Sequence, residues 1–463
     1  MDRRTLLAPL APGRALRESS RAGAPPGGGL TEAEARALSS RILGMIVADE
    51  ARVNLSSGRE GNTRYAVNRI TTAGDAGGVS ASILVRYGRR SATVSTNRFD
   101  DESLRAAVDT AQTLARLAPE DPEAMPELEP IDYPAGAGHV AATAALDAVG
   151  RAQVAGDAIE RALAAGLEVA GYLEASDQAS AIANSRGLFG YNRSTAVDYS
   201  VTARTEDGLG SGWAGTGHRD WSAIDAAALH ARAIAKALAS REARPLAAGV
   251  YPAILEPAAV LDLVRLLPSA LDARRAHEGR SAFSRPDQGT AIDERLLDPK
   301  ITLRSDPLGM GASPFAADGL PALPRTWIRN GRLQRLAYSR WWAQQRGVEP
   351  TGFPGSIRME GEPRSLEQLI AETERAVLVT RFWYVRSLDP RTLLYTGLTR
   401  DGTFWVEDGR IQYPVNNFRW NDSPLLAFRN VDALTRPERV ASGYELPAMR
   451  VPEFDFASVS EAV

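Results

Sequence analysis

The residue pair His277-Glu278 is the sequence feature most suggestive of metal chemistry, because it supplies the first two positions of a zinc peptidase motif. Such a motif needs a second imidazole one helical turn later, so that both rings reach one ion. Ser281 and Ala282 occupy that turn instead. A catalytic zinc also needs about three protein ligands and an open water position. We therefore interpret His277-Glu278 as a polar loop pair and not as a metal site.

The other residues capable of catalysis are scattered. His139, His218 and His230 stand alone in the sequence, and the chain has no cysteine, which excludes disulfides, thiolate metal sites and thiol nucleophiles. A serine–histidine–aspartate triad stays open, because a triad is recognised by its geometry and not by residue order. No G-x-S-x-G nucleophile elbow supports one. The prediction is a chain with no catalytic residue and no metal ligand of its own.

The segment from Thr380 to Gly409 is rich in aromatic residues and arginines and is the best candidate for a binding surface. Strand alternation would place Phe382 and Tyr384 on one face and Arg381 and Trp383 on the other. Core packing accounts for such a pattern, but aromatic residues and arginines are also enriched at interfaces and suit peptide backbones and carboxylates. The residues predicted to form a peptide- or partner-binding surface are Arg381, Trp383, Arg386, Tyr395, Thr396 and Gly397.

The elements that position these residues begin with a buried strand at Ala253–Leu255 and an amphipathic helix that fits between Pro257 and Pro268. A short strand at Ile301–Leu303 follows. The dipeptides Asn330-Gly331, Asp401-Gly402 and Asp408-Gly409 are two-residue hairpin signals. They predict an antiparallel meander, curled into a barrel- or sandwich-like sheet, in a β-rich C-terminal domain of residues 246–450 with a tail at 451–463.

The N-terminal part is predicted to be a helix/antiparallel-sheet domain of residues 31–117, so that the whole fold is α+β. Thr31 and Glu34 form a capping box at its first helix. A proline-rich, solvated connector (118–138) and a middle segment (139–245) come next. Residues 1–30 are expected to be a flexible tail, and their apolar run is too short for an export signal.

Composition limits the class of protein. The 463 residues are 44% hydrophobic and 24% charged, as in ordinary globular proteins that have two or three domains at this length. A formal net charge of -3 gives no electrostatic reason to bind nucleic acid or an anionic membrane. No stretch approaches the ~18 apolar residues that span a bilayer. We expect a cytoplasmic protein.

Several motifs in this order resemble the TldD/PmbA (TldD/TldE) family of metallopeptidase subunits. They are the strand–helix layout after Tyr251, the GRSAFS at Gly279–Ser284, the TGLTRDGTFWVEDGRI at Thr396–Ile411 and the TRYAVNRI at Thr63–Ile70. Zinc-bearing members carry HExxxH on the helix, and counting back from GRSAFS places that motif on Val264–Ser269, which contains no histidine. They also draw a cysteine ligand from near the C-terminus, and this chain has none. The chain therefore resembles TldE/PmbA, the subunit without zinc.

The resemblance implies a non-catalytic partner in a heterodimeric zinc metallopeptidase that cleaves unfolded or short peptides inside a closed chamber. It also implies that this chain holds no cofactor, that the zinc belongs to a TldD-like partner subunit, and that a peptide is the substrate. Asp306 and Asp318 look like acidic positions of the family, although turn formation explains them equally well. The alternative is a stand-alone peptide-binding or scaffold protein without peptidase activity.

Overall fold

The computed structural model of the chain describes residues 29–460. Residues 1–28, which make up most of the predicted flexible tail, lie outside the described residues. The last residue of that predicted tail is anchored, since the Leu30 amide donates to Ser57 Oγ at 2.8 Å and the Tyr191 hydroxyl donates to the Leu30 carbonyl at 2.7 Å. Within the described part of the chain, no helix is both long and apolar enough to cross a bilayer.

A six-stranded antiparallel sheet, the central sheet, organises the N-terminal half, with the strand order β3-β2-β1-β4-β5-β6. Its strands are β1 (Glu50–Ala66), β2 (Arg69–Tyr87), β3 (Arg90–Thr96), β4 (Leu167–Asn184), β5 (Phe189–Thr205) and β6 (Ser211–His218). Strand β1 pairs with β4 from Arg52 to Tyr65. The predicted N-terminal domain and middle segment therefore share one sheet.

Helices cover one face of the central sheet, because alternate strand residues are apolar on that face. These helices are α1 (Glu32–Leu43), α2 (Asp101–Leu117), α3 (Ala141–Ala144), α4 (Ala148–Ala164) and α5 (Ala226–Ala239), and a 3₁₀ turn covers Trp221–Ala223. The predicted capping box at Thr31 is present. The other face carries mainly polar residues, such as Glu60, Glu174 and Ser200.

The C-terminal half forms two further sheets around a shared apolar core. The eight-stranded sheet contains β7 (Gly249–Leu255), β12 (Arg375–Asp389), β13 (Leu394–Glu407), β14 (Arg410–Pro414), β15 (Asn417–Asp422), β16 (Ala433–Leu434), β19 (Met449–Phe456) and β20 (Ser458–Ser460). The six-stranded sheet contains β8 (Leu303–Ser305), β9 (Arg325–Arg329), β10 (Arg332–Leu333), β11 (Ile357–Met359), β17 (Glu438–Ala441) and β18 (Tyr444–Leu446). The predicted α+β class is confirmed, with a sandwich-like arrangement of open sheets in this half.

Six short helices connect or cover the C-terminal strands. They are α6 (Pro257–Val264), α7 (Ala273–His277), α8 (Pro307–Met310), α9 (Arg340–Arg346), α10 (Leu366–Ala371) and α11 (Pro424–Ala427). Helix α6 follows β7 as predicted. Its residues Val260, Leu263 and Val264 are buried in the core between the two sheets. This packing fixes the position of α6 beside the central sheet.

Three expectations from the sequence are wrong in detail. The connector is not solvated throughout, because Leu128 and Tyr133 pack on Phe315 and Glu127 is buried. The predicted tail at 451–463 contributes β19, whose Phe454 and Phe456 are buried because the sheet needs their aromatic surface to complete its core. Asp401-Gly402 does not form a hairpin turn, since β13 continues through it. The hairpins at Asn330-Gly331 and Asp408-Gly409 are present.

Candidate functional site

A cleft lies between the central sheet and the C-terminal sheets, and it holds two adjoining cavities of about 250 and 190 Å³. Trp213, Thr216, Ala258 and Val440 line both cavities. Polar and charged residues surround the larger cavity. The central sheet contributes Tyr172, Asp198 and Ser200, helix α6 contributes Asp262, the residue after α6 is Arg265, and β12 contributes Arg381. The cleft therefore brings together charged groups from three distant parts of the chain.

Asp262 is a carboxyl group of this cleft whose acid–base chemistry is altered by burial. It projects from α6, an otherwise apolar helix, and one carboxylate oxygen accepts a hydrogen bond from the Phe382 amide at 3.0 Å. Burial raises its pKa to about 6, although the Phe382 hydrogen bond and the charges of Arg381 and Arg265 act in the opposite direction. Asp262 can therefore change its charge close to neutral pH.

Asp401 anchors the floor of the cleft from a β-bulge in β13. Its φ of 56° and the φ of 119° at Gly402 break the register with β12, and its side chain is fully buried. Arg381 donates to one carboxylate oxygen at 2.7 Å through Nε, and Ser211 Oγ donates to the other at 2.5 Å. A bulge re-aims a side chain out of the ladder. Here the bulge turns the Asp401 carboxylate toward Arg381 of β12 and Ser211 of the central sheet.

A second buried ion pair joins the helix layer to the start of α6. Lys236 Nζ of α5 lies 2.7 and 2.6 Å from the two carboxylate oxygens of Glu256, and the Thr380 hydroxyl donates to Glu256 at 3.3 Å. Both charged groups line the smaller cavity. Because each already has a partner, we regard the pair as a structural support of the cleft.

The residues predicted as a binding surface lie along one two-stranded hairpin, with Arg386 opposite Thr396 and Trp383 opposite Leu398. We call the part from 383 to 396 the hairpin arm; its residues Trp383 and Tyr384 are exposed, whereas Leu393 is buried and Thr396 pairs with β15. Trp383 is 45% exposed and contacts the guanidinium groups of Arg381 and Arg400, at 5.5 and 4.8 Å from its ring centre. Arg386 is exposed and stacks on the ring of Tyr384 at 4.3 Å.

Two of these residues have roles that the sequence pattern did not indicate. Gly397 is buried against Trp420, whose ring would lie 2.7 Å from an added Cβ, so this glycine serves packing. Tyr395 is partly buried against the core.

Tyr384 was predicted to share a face with the buried Phe382, but its φ of 54° interrupts the alternation and leaves it 54% exposed. Arg381 faces the cleft, and its guanidinium group forms an ion pair with Asp401.

The residues at the expected zinc motif do not fit a zinc ion. Helix α6 ends at Val264, and Val264 and Leu267 are buried core residues, while Arg265 is exposed. Between residues 29 and 460 no group of three or more histidine, cysteine, aspartate or glutamate side chains is arranged to hold a metal. His277 contacts the Gln288 carbonyl at 2.9 Å and the Tyr338 hydroxyl at 3.2 Å, and Glu278 pairs with Arg274 at 2.9 Å.

The remaining histidines have separate partners. His139 lies 3.5 Å from Asp177, which is also bound by Arg193, and His218 contacts the backbone of Asp220. His230 is buried and 2.6 Å from the Tyr199 hydroxyl. Asp306 caps α8 through the Gly309 amide, and Asp318 accepts from the Leu320 amide, so both form the local turns that the sequence allowed.

Two family models match this chain. One, described as the PmbA/TldA metallopeptidase central domain, matches residues 120–241, and the other, the C-terminal domain of the same family, matches residues 248–458. Together they take up more than half of the chain. The chain is also similar to the metalloprotease PmbA of Escherichia coli O157:H7, with 25% identity over 175 residues. That alignment covers 36% of this chain and 38% of the relative.

Solved structures share the fold over most of the chain. TldE from Thermococcus kodakarensis superposes with a TM-score of 0.81 and 18% identity, covering 91% of this chain and 99% of that one. A putative modulator of DNA gyrase from Bacteroides thetaiotaomicron gives a TM-score of 0.80 and 19% identity, with 93% and 100% covered. At these identities the similarity establishes the fold alone.

Proposed function

Because the chain belongs to the PmbA/TldD family of metallopeptidases, we propose that it is the non-catalytic subunit of a heterodimeric zinc peptidase. A zinc-bearing relative supplies the metal and the catalytic groups. This chain supplies part of the wall that encloses a short or unfolded peptide. We place the complex in the cytoplasm, a setting compatible with a chain that lacks cysteine.

The observation that carries the proposal is the identity of the residues at the end of α6. The family resemblance places the zinc motif on Val264–Ser269, and those residues are a helix end, two core positions and a proline. A zinc peptidase site needs imidazole or carboxylate ligands on a continuous helical turn. Introducing one ligand there would not create a zinc site, because the helix that would carry the other ligands ends at Val264.

The cleft and the hairpin arm support a role in holding peptide. The cleft combines a polar sheet face with Trp213 and with carboxyl and guanidinium groups, which together suit both the backbone and the side chains of an extended peptide. The exposed Trp383 and Tyr384 give the arm the aromatic surface that dominates many protein interfaces. Neither feature requires a catalytic residue in this chain.

The test is to purify the chain alone and together with an HExxxH-bearing relative, and to measure bound zinc and cleavage of dye-labelled casein. We expect less than stoichiometric zinc and no cleavage for the chain alone, and chelator-sensitive cleavage for the mixture. A relative whose first motif histidine is replaced by alanine serves as the control, because it should bind this chain without cleaving casein.

Three results would contradict the proposal. One is cleavage by the chain alone in the presence of a chelator. Another is one zinc per chain that is lost in the His277→Ala variant. The third is failure of any HExxxH-bearing relative to co-purify, and that result would support the stand-alone peptide-binding or scaffold protein.

A further inference from the structure

A cavity of about 570 Å³ opens on the six-stranded sheet. Strands β8, β9 and β11 form its wall, and Arg304 lies in register with Thr326 on one side and Arg358 on the other. The charged residues around the cavity are Arg304, Arg325, Arg358, Asp306 and Glu360. Of these charged groups, the three arginines are the ones that could bind an anion.

Two of the three arginines have carboxylate partners. Arg304 pairs with Glu360. Arg358 pairs with Glu445 at 3.0 Å and lies 4.0 Å from Asp306. These pairs account for the like charges that face each other across β8 and β11, which would otherwise repel.

Arg325 differs from its neighbours because no ion pair of this kind holds it within the described part of the chain. Its Nε is buried and has no hydrogen-bond partner among the described residues. Burial lowers the pKa of Arg325, and the charge of Arg335 lowers it further, with Glu349 acting in the opposite direction. A partly exposed guanidinium group whose buried Nε has no acceptor still lacks one hydrogen bond, so a complementary anion in the cavity would be bound favourably.

We propose that Arg325 binds a carboxylate of a peptide in this cavity. A guanidinium group and a carboxylate match in shape and form paired, charge-assisted hydrogen bonds. One arginine without an ion pair among the described residues suits a single carboxylate, whereas the nearby Asp306 and Glu360 would repel the second charge of a phosphate dianion. A terminal carboxylate and an acidic side chain share this chemistry, and the experiment separates them.

This inference rests on the proposed function only for its choice of a peptide as the source of the carboxylate. Binding is measured on the isolated full chain, so its result does not depend on a zinc-bearing partner. Failure to form an active complex would refute the proposed function and leave the binding result intact. Failure to bind carboxylate would refute the inference and leave the heterodimer untouched.

The experiment compares three dye-labelled tripeptides by fluorescence anisotropy: Ala-Ala-Leu with a free C-terminus, its C-terminal amide, and the amide of Ala-Ala-Glu. We expect the free acid to bind the wild-type chain, and Arg325→Gln to weaken that binding by at least about tenfold. The matched control is Arg329→Gln, at the exposed far end of the same strand, which should bind like the wild type. The Leu amide should bind both chains equally weakly.

The Glu amide decides the source of the carboxylate. Binding as tight as the free acid assigns the site to any peptide carboxylate, and weak binding assigns it to the C-terminus. The inference is overturned if the free acid does not bind, if it binds no more tightly than the Leu amide, if Arg325→Gln has no effect, or if inorganic phosphate displaces the peptide at lower concentration than acetate does. Thermal unfolding of Arg325→Gln confirms that this variant is folded.

Discussion

Asp262 is a carboxyl group in the cleft whose environment makes the pH response of the fold testable. Its pKa in the folded chain is raised from 3.8 to about 6 by burial. The folded state therefore holds the proton more tightly than the unfolded state does. The stabilising effect of protonation is complete below pH 4 and is lost as the pH rises through 6.

We expect Asp262→Asn to be more stable than the wild type at pH 8, by up to about 3 kcal/mol, because it never carries the buried charge. The difference should shrink toward pH 4. The amide oxygen can still accept from the Phe382 amide, so the helix position is kept. Urea unfolding at pH 5 to 8 measures the effect, and Asp408→Asn in the exposed hairpin turn serves as the control. A difference that does not change with pH would contradict the role of ionisation.

Arg381 and Arg386 are equivalent in the sequence pattern but differ in the structure. We expect Arg381→Ala to destabilise the fold by about 3 kcal/mol, because it leaves the buried Asp401 without its closest charged partner. Arg204 and Arg400 remain within 4 Å and keep the loss from being larger. Arg386→Ala, on the exposed arm, should cost less than about 0.5 kcal/mol. Urea unfolding of both variants compares them, and equal losses would be inconsistent with a buried Asp401 pair.

The sequence pattern singled out Arg381, which lines the cleft, but missed Asp262. Asp262 stands out only as a lone carboxylate in the apolar helix AAVLDLV. Its unusual environment depends on Phe382, Arg381 and Trp213, which join it through the tertiary fold. A period-two pattern likewise could not indicate that the chain turns at Tyr384, because the left-handed conformation there is not favoured by any local signal.

At the level of elements, prediction succeeded where the signal was local. The capping box at Thr31, the amphipathic helix α2 and two of the three hairpin dipeptides carry their own structural information. The third dipeptide, Asp401-Gly402, became a bulge because Arg381 and Ser211 attract the aspartate into the protein. Strand β19 was missed because its pairing with β7 joins residues that are about 200 positions apart, a contact that no local pattern reveals.

The bulge predicts a specific requirement for glycine in β13. A Cβ at Gly402 would lie 2.8 Å from the Phe404 ring and from Thr380 Oγ1, at a φ of 119° that other residues rarely adopt. We expect Gly402→Ala to destabilise the chain by about 3 kcal/mol. The control is Gly88→Ala, where φ is 56° and no atom lies within 4 Å, with an expected cost of about 1 kcal/mol. Thermal or urea unfolding measures both losses of stability. If the two variants lose similar amounts, the clash at Gly402 is relieved by local movement and only the unfavourable φ destabilises the chain.

At the scale of the whole molecule, polar contacts from distant segments hold the central sheet against the C-terminal half. The Thr216 hydroxyl donates to the Arg439 carbonyl at 2.8 Å, and Asp198 accepts from the Ser442 amide at 2.9 Å. With the Ser211–Asp401 contact, they fix the width of the cleft. The exposed side chains of the hairpin arm, such as Trp383 and Tyr384, take no part in these contacts, so a partner can reach them.

This separation leads to the prediction for the assembly as a whole. We expect Trp383→Ala to reduce co-purification with the zinc-bearing relative at least about tenfold, because an exposed tryptophan between arginines is a typical interface anchor. Folding should be retained, since the ring is 45% exposed and contacts mainly Arg381 and Arg400. Pull-down with the tagged relative measures binding, and circular dichroism confirms the fold.

Leu114→Ala is the control for removing an exposed hydrophobic side chain, because Leu114 is 47% exposed on α2, a helix of the central-sheet layer. Retention of the partner by Leu114→Ala and its loss by Trp383→Ala would assign the interface to the arm. Equal retention by both variants would exclude the arm as the main contact. In that case Trp383 would have another role, since its stacking between Arg381 and Arg400 also shields the ion pair with Asp401 from water. Reduced stability of Trp383→Ala with unchanged partner binding would identify that shielding role.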